Sequence, residues 1–406
     1  MINYKKYHTI KTMENFNRTL LVCWFGVFTT SMGLSQIAPI LPFYIRELGH
    51  IKTSDIAFYS GLAFGITPLF MAIFSPLWAF LGAKYGYKNM LLRASFGMSV
   101  LTLWLSFAHS VLEVVLVRGL TGVISGFTSA ATVFIAVIAP KEKVAYALGT
   151  LSTASISGSL LGPLFGGFVA EFFSIRSVFD GVSFLIACSF VTIYFFIHEK
   201  KIQKEARKNT QKIKENKTLI IILFITTFVI QFGTFGVMSI LSIFVEQIHR
   251  GGNLALWAGI VVAASGISNL FFAPKLGKIA DKIGPSKIIF TALIFCGFCF
   301  YLQAVASNVY TLIFVRLLIG IGLGGLLPGV NALLKKNVSA KNLSVIFGFN
   351  QTCQFLGNFC GALGGGLMTS HFSVEFVFTF VCLIFIVNAF IFLAFERKYI
   401  FSKKGL

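Results

Sequence analysis

Apolar residues in this chain come in blocks of twenty or more, and no other feature limits its possible folds as strongly. Residues 20–43, 218–244 and 376–395 form three of these blocks. A helix of about 20 apolar residues crosses the roughly 30 Å hydrocarbon core of a bilayer. Twelve such stretches follow one another, at approximately 20–43, 57–80, 90–108, 111–136, 144–170, 177–197, 218–244, 254–275, 288–306, 309–333, 344–369 and 375–396. They predict an all-α polytopic membrane protein with twelve transmembrane helices. Composition agrees: 56% of the 406 residues are hydrophobic and 12% are charged, against about 25% charged in an average soluble domain.

The formal net charge of +20 raises nucleic acid as a partner, and the distribution of that charge removes it. With the N-terminal tail in the cytoplasm, 28 of the 34 Lys and Arg fall in the tails and the even-to-odd loops. Arg46, Lys52, Arg176 and Arg250 fall on the other side, and Arg118 and Arg316 lie inside spans. The fourteen acids show no such asymmetry. Lys and Arg set orientation in this way, so both termini are expected in the cytoplasm. The first span is too long for the apolar region of a cleaved signal, and none is expected. All seven Cys lie in apolar spans. Cys296 and Cys299 spell CxxC, but redox or metal chemistry needs an accessible thiolate. Packing is expected instead, with no disulfide framework, no metal and no cofactor.

The longest loop, 198–217, reads HEKKIQKEARKNTQKIKENK, with eight basic and three acidic residues. It is expected to be a solvated cytoplasmic linker between two six-helix bundles, 1–197 and 218–406. The two sets repeat. Gly86 pairs with Gly284, Arg118 with Arg316 and Gly122 with Gly320 at an offset of 198; Gly158 pairs with Gly357 and Gly162 with Gly361 at 199. One offset held across several helices points to parallel repeats, the architecture of the major facilitator transporters. In that architecture the substrate site lies near the midplane and the halves rock to give alternating access.

Within span five, Gly158-Ser-Leu-Leu-Gly162-Pro163-Leu-Phe-Gly166-Gly167 places glycines four apart. That spacing admits a neighbouring backbone to one helix face, and Pro163 bends the helix. The full string resembles the span-five motif of drug:proton antiporters in the major facilitator superfamily. Pro39 and Pro42 in span one resemble the Pro-x-x-Pro element of the twelve-helix antiporter branch, and they equally fit a simple kink and helix end. Segments 147–167, 273–284 and 349–358 are similar to MdtG-type bacterial multidrug resistance proteins, and the similarity covers nearly the whole chain. The resemblance implies a bacterial inner-membrane protein that moves small molecules outward, coupled to protons, and a monomer is expected.

The family's loop after span two resembles G-x-L-A-D-R-x-G-R-K, a tight turn whose acid locks the bundles when the site faces outward. The copy at 277–287 keeps Gly277, Asp281, Lys282, Gly284 and Lys287. The copy at 79–88 keeps Lys84, Gly86 and Lys88 but has Ala79 for Gly and Ala83 for Asp. The expectation is a weakened lock, partly borne by Asp281.

Arg118 and Arg316 lie about seven residues into their spans, roughly 10 Å deep. Charges at such depth face a cavity or a partner, or snorkel to the interface. Arg118 with Gly122 matches the family's fourth-helix motif, where the Arg is linked to proton or substrate handling; Arg316 is a secondary candidate. None of the acids or His falls near the middle of a span, and span one offers Ser35 and Gln36 instead. Asp180, just inside span six, and Glu113, at the start of span four, are the candidates for coupling. Asn350, Gln354 and Asn358 recur every four residues on one face of span eleven, and Gln231 and Asn331 join them from spans seven and ten. These amides fit either cargo contacts or helix–helix hydrogen bonds.

Exporters of cationic drugs need a buried counter-charge, because an unpaired cation is costly in low dielectric. A chain with buried Arg and neutral amides suits neutral or anionic amphipathic cargo. The expected function is secondary active export of such compounds by alternating access. A dedicated exporter of an anionic metabolite, such as a carboxylate siderophore, is an alternative. A non-transporting sensor or scaffold is another, though it would ordinarily carry a larger soluble part. No nucleophile–base pair, metal cluster or phosphate loop suggests an enzyme.

Overall fold

The computed structural model describes residues 2–404 apart from 50, 51, 53, 54, 141, 142, 198, 200–216, 250, 340 and 341. The predicted linker thus lies almost wholly outside the described residues, with Glu199 and Lys217 at its edges. The side chains of 2–15, 145, 281, 344 and 396–404 also lie outside them, and that set includes the expected gating acid Asp281.

Fourteen helices form twelve rods among the described residues. The first rod is α1 (Ile2–Ser35) followed by α2 (Ile37–Glu47), bent by 43° at their junction. Next come α3 (Ile56–Tyr85) and α4 (Tyr87–Ser106). The fourth rod is broken into α5 (Val111–Ile124) and α6 (Phe127–Ile138). α7 (Val144–Phe172) and α8 (Ile175–Phe196) complete the first bundle. The second bundle is α9 (Lys217–Ile248), α10 (Leu254–Ile283), α11 (Pro285–Ala304), α12 (Val309–Asn337), α13 (Leu343–His371) and α14 (Val374–Lys404). Nine described segments are long and apolar enough to span a membrane, and the bent pair makes ten. The other two rods, α4 and α13, have the length but are more polar, with Lys88 and Arg93 in one and Asn350, Gln354 and Asn358 in the other. The helical backbone also runs past the predicted first and last spans, because hydropathy marks only the part of a rod that matches hydrocarbon.

Helices dominate because a bilayer core offers no water to unpaired backbone groups. In the first bundle the helix itself breaks within a rod at two places. Pro39 has no N–H to return to Ser35, so the chain bends beside Gln36. At the break between α5 and α6, Gly126 has φ 120°, a conformation open to glycine and strained for other residues.

The repeat is visible atom by atom. Gly86 and Gly284 turn between their helices with φ 95° and 97°. Ser110 caps α5 through the N–H of Glu113, and Asn308, 198 residues on, caps α12 through the N–H of Thr311. One apolar cluster lies wholly in the second bundle, from Leu219 to Phe392. Another, from Phe16 to Ile197, lies in the first.

The two bundles meet along two glycine seams. On α3, Gly61 and Gly65 face Phe359, Ala362 and Gly366 of α13; a Cβ at Gly65 would sit 3.1 Å from the Phe359 carbonyl oxygen. On α7, Pro163 and Gly167 face Ala255 and Gly259 of α10. Both seams lie toward the end of the molecule opposite the chain termini, here called the distal end. Toward the terminal end the same four helices carry exposed side chains, among them Phe80, Tyr146, Ile279 and Phe349.

A Cβ at Gly259 would stand 2.5 Å from the Pro163 carbonyl oxygen and 3.2 Å from the Gly167 Cα. Gly259→Ala is therefore expected to cost about 1–3 kcal/mol through overpacking, read as a lower melting temperature of the purified protein in detergent. Gly252→Ala, where a Cβ meets nothing within 4 Å among the described residues, is the control and stays within about 0.5 kcal/mol of wild type.

Candidate functional site

The span-five motif packs against the bend in span one. A Cβ at Gly158 would press on the Phe28 carbonyl and Ser31, one at Gly162 on Ser35 and Met32, and one at Gly166 would lie 2.6 Å from the Gln36 carbonyl oxygen. The glycines therefore bring α7 backbone to backbone with the α1–α2 junction, and Gly167 serves the seam with α10. Ser35 Oγ donates to the Gly158 carbonyl at 3.3 Å. Gln36 is buried at this contact, and its Oε1 has no hydrogen-bond partner.

Arg118 and Arg316 are each 3% exposed and occupy equivalent places. Arg118 Nε donates to the Ala63 carbonyl on α3 at 3.3 Å, and Arg316 Nε to the Val261 carbonyl on α10 at 3.3 Å. Thr67 Oγ1 returns a bond to the Arg118 carbonyl at 2.8 Å. Arg316 Nη2 also donates to Ser265 Oγ at 2.9 Å. Neither Arg has a carboxylate partner among the described residues. Arg118 thus keeps both terminal amino groups, and Arg316 one, without a protein acceptor there.

The amides divide. Asn350 accepts from Thr227 Oγ1 at 2.8 Å and donates to Asn331 Oδ1 at 3.1 Å, linking α13 to α9 and α12. Both its polar atoms are thereby engaged in helix contacts. Asn358 is buried with Oδ1 unpartnered. Gln231 and Gln354 are partly exposed, and Gln231 Cβ lies against Gly357. Asp180 is exposed on α8. Glu113 accepts from Trp104 Nε1 at 2.7 Å and from the His109 N–H at 3.0 Å, so it is held at the start of α5. All seven Cys are free, and no group of His, Cys, Asp and Glu among the described residues has the makings of a metal site.

Several polar residues that the sequence did not single out prove to hold elements together. Trp78 Nε1 donates to the Val123 carbonyl at 2.6 Å, and Arg93 Nη2 to the Ser125 carbonyl at 3.2 Å, with the guanidinium 3.4 Å from the Trp78 ring centre. Between them they pair two carbonyls at the α5–α6 break. At the distal end, Arg46 of α2 grips Glu246 of α9 through two bonds of 2.6 and 2.8 Å. Glu171 of α7 accepts from the Ala255 N–H at 3.1 Å, capping α10 across the bundles. Ser242 Oγ donates to the Pro39 carbonyl at 2.8 Å. Partners 84 to 203 residues apart, each at an ordinary-looking span end, leave no local signal in the sequence.

Twelve rods in two pseudo-symmetric bundles, joined by glycine seams and carrying a buried cation in each half, define a membrane transporter of the alternating-access kind. A sequence model of the Major Facilitator Superfamily matches residues 23–300 and 223–404. The chain is 37% identical over 383 residues to the multi-drug resistance efflux pump PmrA of Streptococcus pneumoniae, across 92% of this chain and 95% of that one. It is 35% identical over 381 residues to the multidrug resistance protein MdtG of Proteus mirabilis, again across 92% and 95%. Among solved structures, a bacterial homolog of the human lysosomal transporter Spinster, inward-facing and occupied, superposes with a TM-score of 0.77 at 14% identity, covering 93% of this chain and 96% of that one. The human organic anion transporter MFSD10 gives 0.69 at 15%, covering 93% and 99%. The chain belongs to the major facilitator superfamily.

Because Asn350 is spent on helix contacts, Asn350→Ala is expected to lower stability by about 0.6–1.7 kcal/mol in detergent melting, without changing which compounds are moved. A changed cargo profile at unchanged stability would place Asn350 in the cargo site instead.

Proposed function

We propose that this chain is a secondary active exporter of small amphipathic compounds, neutral or anionic, working by proton-coupled antiport in a bacterial cytoplasmic membrane. The observation that carries the cargo class is the pair Arg118 and Arg316: two buried guanidiniums without a carboxylate partner among the described residues. Their spare N–H groups suit a carboxylate, phosphate or carbonyl on the cargo. A buried lone cation in each half also repels cationic cargo. The relatives named as multidrug efflux pumps support outward transport of varied molecules. The same Arg pair also favours a narrower reading, a dedicated exporter of one anionic metabolite.

The positive-inside pattern supports a reading with both termini in the cytoplasm, and in that reading the distal end faces outward. The seams, the Arg46–Glu246 pair and the Glu171 cap then close the outer face. This is an inward-facing arrangement, ready to load from the cytoplasm. Gln36 and Asn358, with unpartnered carbonyl oxygens, and the partly exposed Gln231 and Gln354 are the proposed polar contacts for cargo. Asn331 positions Asn350, and Asp180 is the proposed proton-coupling acid. The glycine motif of α7 with Pro163, and the turns at Lys84, Gly86, Gly277, Asp281, Lys282 and Gly284, are the proposed gating elements. The protein works as a monomer without cofactor.

Inside-out vesicles with an imposed inside-acid gradient test this directly. An anionic or neutral amphipathic dye is expected to accumulate, and Arg118→Ala and Asp180→Asn to abolish the gradient-driven part. Accumulation of cationic dye alone would overturn the cargo class, and accumulation of one anion among many tried would favour the dedicated exporter.

The outer latch makes a separate prediction. Arg46→Ala is expected to raise the outward-open population by about twofold to fivefold, the scale of a partly exposed ion pair worth up to about 1 kcal/mol. Spin-label distances across the distal end read the change. The swap Arg46→Glu with Glu246→Arg restores the wild-type distribution.

A further inference from the structure

The first span-two turn lacks its acid at position 83, yet a carboxylate stands at that turn. Glu199, beyond the end of α8, accepts from the N–H of Tyr87 at 2.9 Å through Oε1 and from the N–H of Lys88 at 2.8 Å through Oε2. These are the first two residues of α4, whose N–H groups have no partner inside the helix. A carboxylate there is favoured by charge as well as by hydrogen bonding. Lys88 Nζ closes the clamp from the other side, donating to the Tyr194 carbonyl on α8 at 3.0 Å.

Gly86 is fitted to this carboxylate. Its φ of 95° gives the turn, and a Cβ there would lie 2.7 Å from Glu199 Oε2. The second copy of the turn is built differently. Among the described residues a Cβ at Gly284 meets nothing within 4 Å, and α11 opens on Pro285, which has no N–H for an acid to bind. Among the described residues the clamp is therefore seen at the first turn and not at the second.

We propose that Glu199 supplies, from the end of the sixth span, the acid that the first turn lost at Ala83. It is a positioning residue. α3 runs from the distal seam, where Gly61 and Gly65 meet α13, to this turn. By fastening the turn to α8, Glu199 ties the terminal end of α3 to its own bundle, so that α3 swings with the first half as one body. The turn after Ala83 is thereby held within its own bundle by an acid that arrives from elsewhere in the chain.

The transport arm of the test rests on the export reading; the exchange arm does not. Backbone amide exchange over residues 85–90, measured on the full chain in lipid nanodiscs, is expected to speed by roughly twofold to thirtyfold in Glu199→Ala, the range a helix cap is worth. Glu199→Gln, which keeps one acceptor oxygen, falls in between and serves if the Ala variant does not assemble. In inside-out vesicles Glu199→Ala is expected to lose at least fivefold in initial rate of dye uptake. Adding Ala83→Asp to that background recovers at least half of the loss, which a general folding defect would not allow. Unchanged amide exchange in both variants overturns the inference. So does full transport by Glu199→Ala, or no recovery with Ala83→Asp, in a series where wild type transports. A wild-type protein that moves no dye counts against the export reading and leaves amide exchange to decide this one.

Discussion

In hydrocarbon a backbone N–H or C=O has no water to turn to, and the rest of this structure depends on that constraint. It makes each span a helix and makes each interruption an obligation. At the bend, the Met32 carbonyl accepts from both the Gln36 N–H and the Ser35 hydroxyl. The break after Ile124 is met by Trp78 and Arg93 from two neighbouring helices. Where helices must approach each other, the same economy applies. Lipid is as apolar as Leu, so bundles gain little from hiding apolar faces and rely on close contact. Gly61, Gly158, Gly166, Gly167 and Gly259 provide it by exposing backbone to backbone.

How much of this was legible in the sequence follows from how local each signal is. Apolar runs announce their own spans, and an Arg inside such a run is conspicuous by cost alone, so Arg118 and Arg316 stood out. The offset of 198 made the two bundles visible, and the structure repeats it in Arg118 with Ala63 and Arg316 with Val261. Contacts between distant span ends were not legible. Arg46, Glu171 and Glu246 are span-end charges with nothing local to mark them, Glu199 lies in the stretch expected to be a solvated linker, and only the fold shows what each one touches. The break at Gly126 was hidden for another reason: it is one glycine among 38, in an apolar run with no proline to mark it. The amides of span eleven illustrate a limit of periodicity. Spacing put Asn350, Gln354 and Asn358 on one face, but neighbouring helices decide that Asn350 is consumed in packing while Asn358 keeps a free oxygen.

The contacts that close the distal end are of two kinds, and they suit different tasks. Glycine seams are built from backbone, so their geometry does not depend on side-chain rotamers and is recovered each time the halves come together. The Arg46–Glu246 pair and the Glu171 cap are side-chain grips that can be released one by one. A transporter needs both: surfaces that register the halves and fasteners weak enough to let go. In the function proposed above, cargo would meet Arg118, Arg316 and the unpartnered amides, none of which belongs to these closing contacts.

The broken fourth span has a mechanical consequence. Its counterpart in the second bundle, α12, runs unbroken from Val309 to Asn337 and holds Gly324, the partner of Gly126 at the same offset, inside a continuous helix. One blueprint has therefore produced the same weak point in two forms. The first half has an open break, bridged by Trp78 and Arg93, and its twin a continuous helix in which Pro328 has no N–H for the Gly324 carbonyl. Each fourth-span rod can give at the same level of its bundle, one through a glycine and the other through a proline.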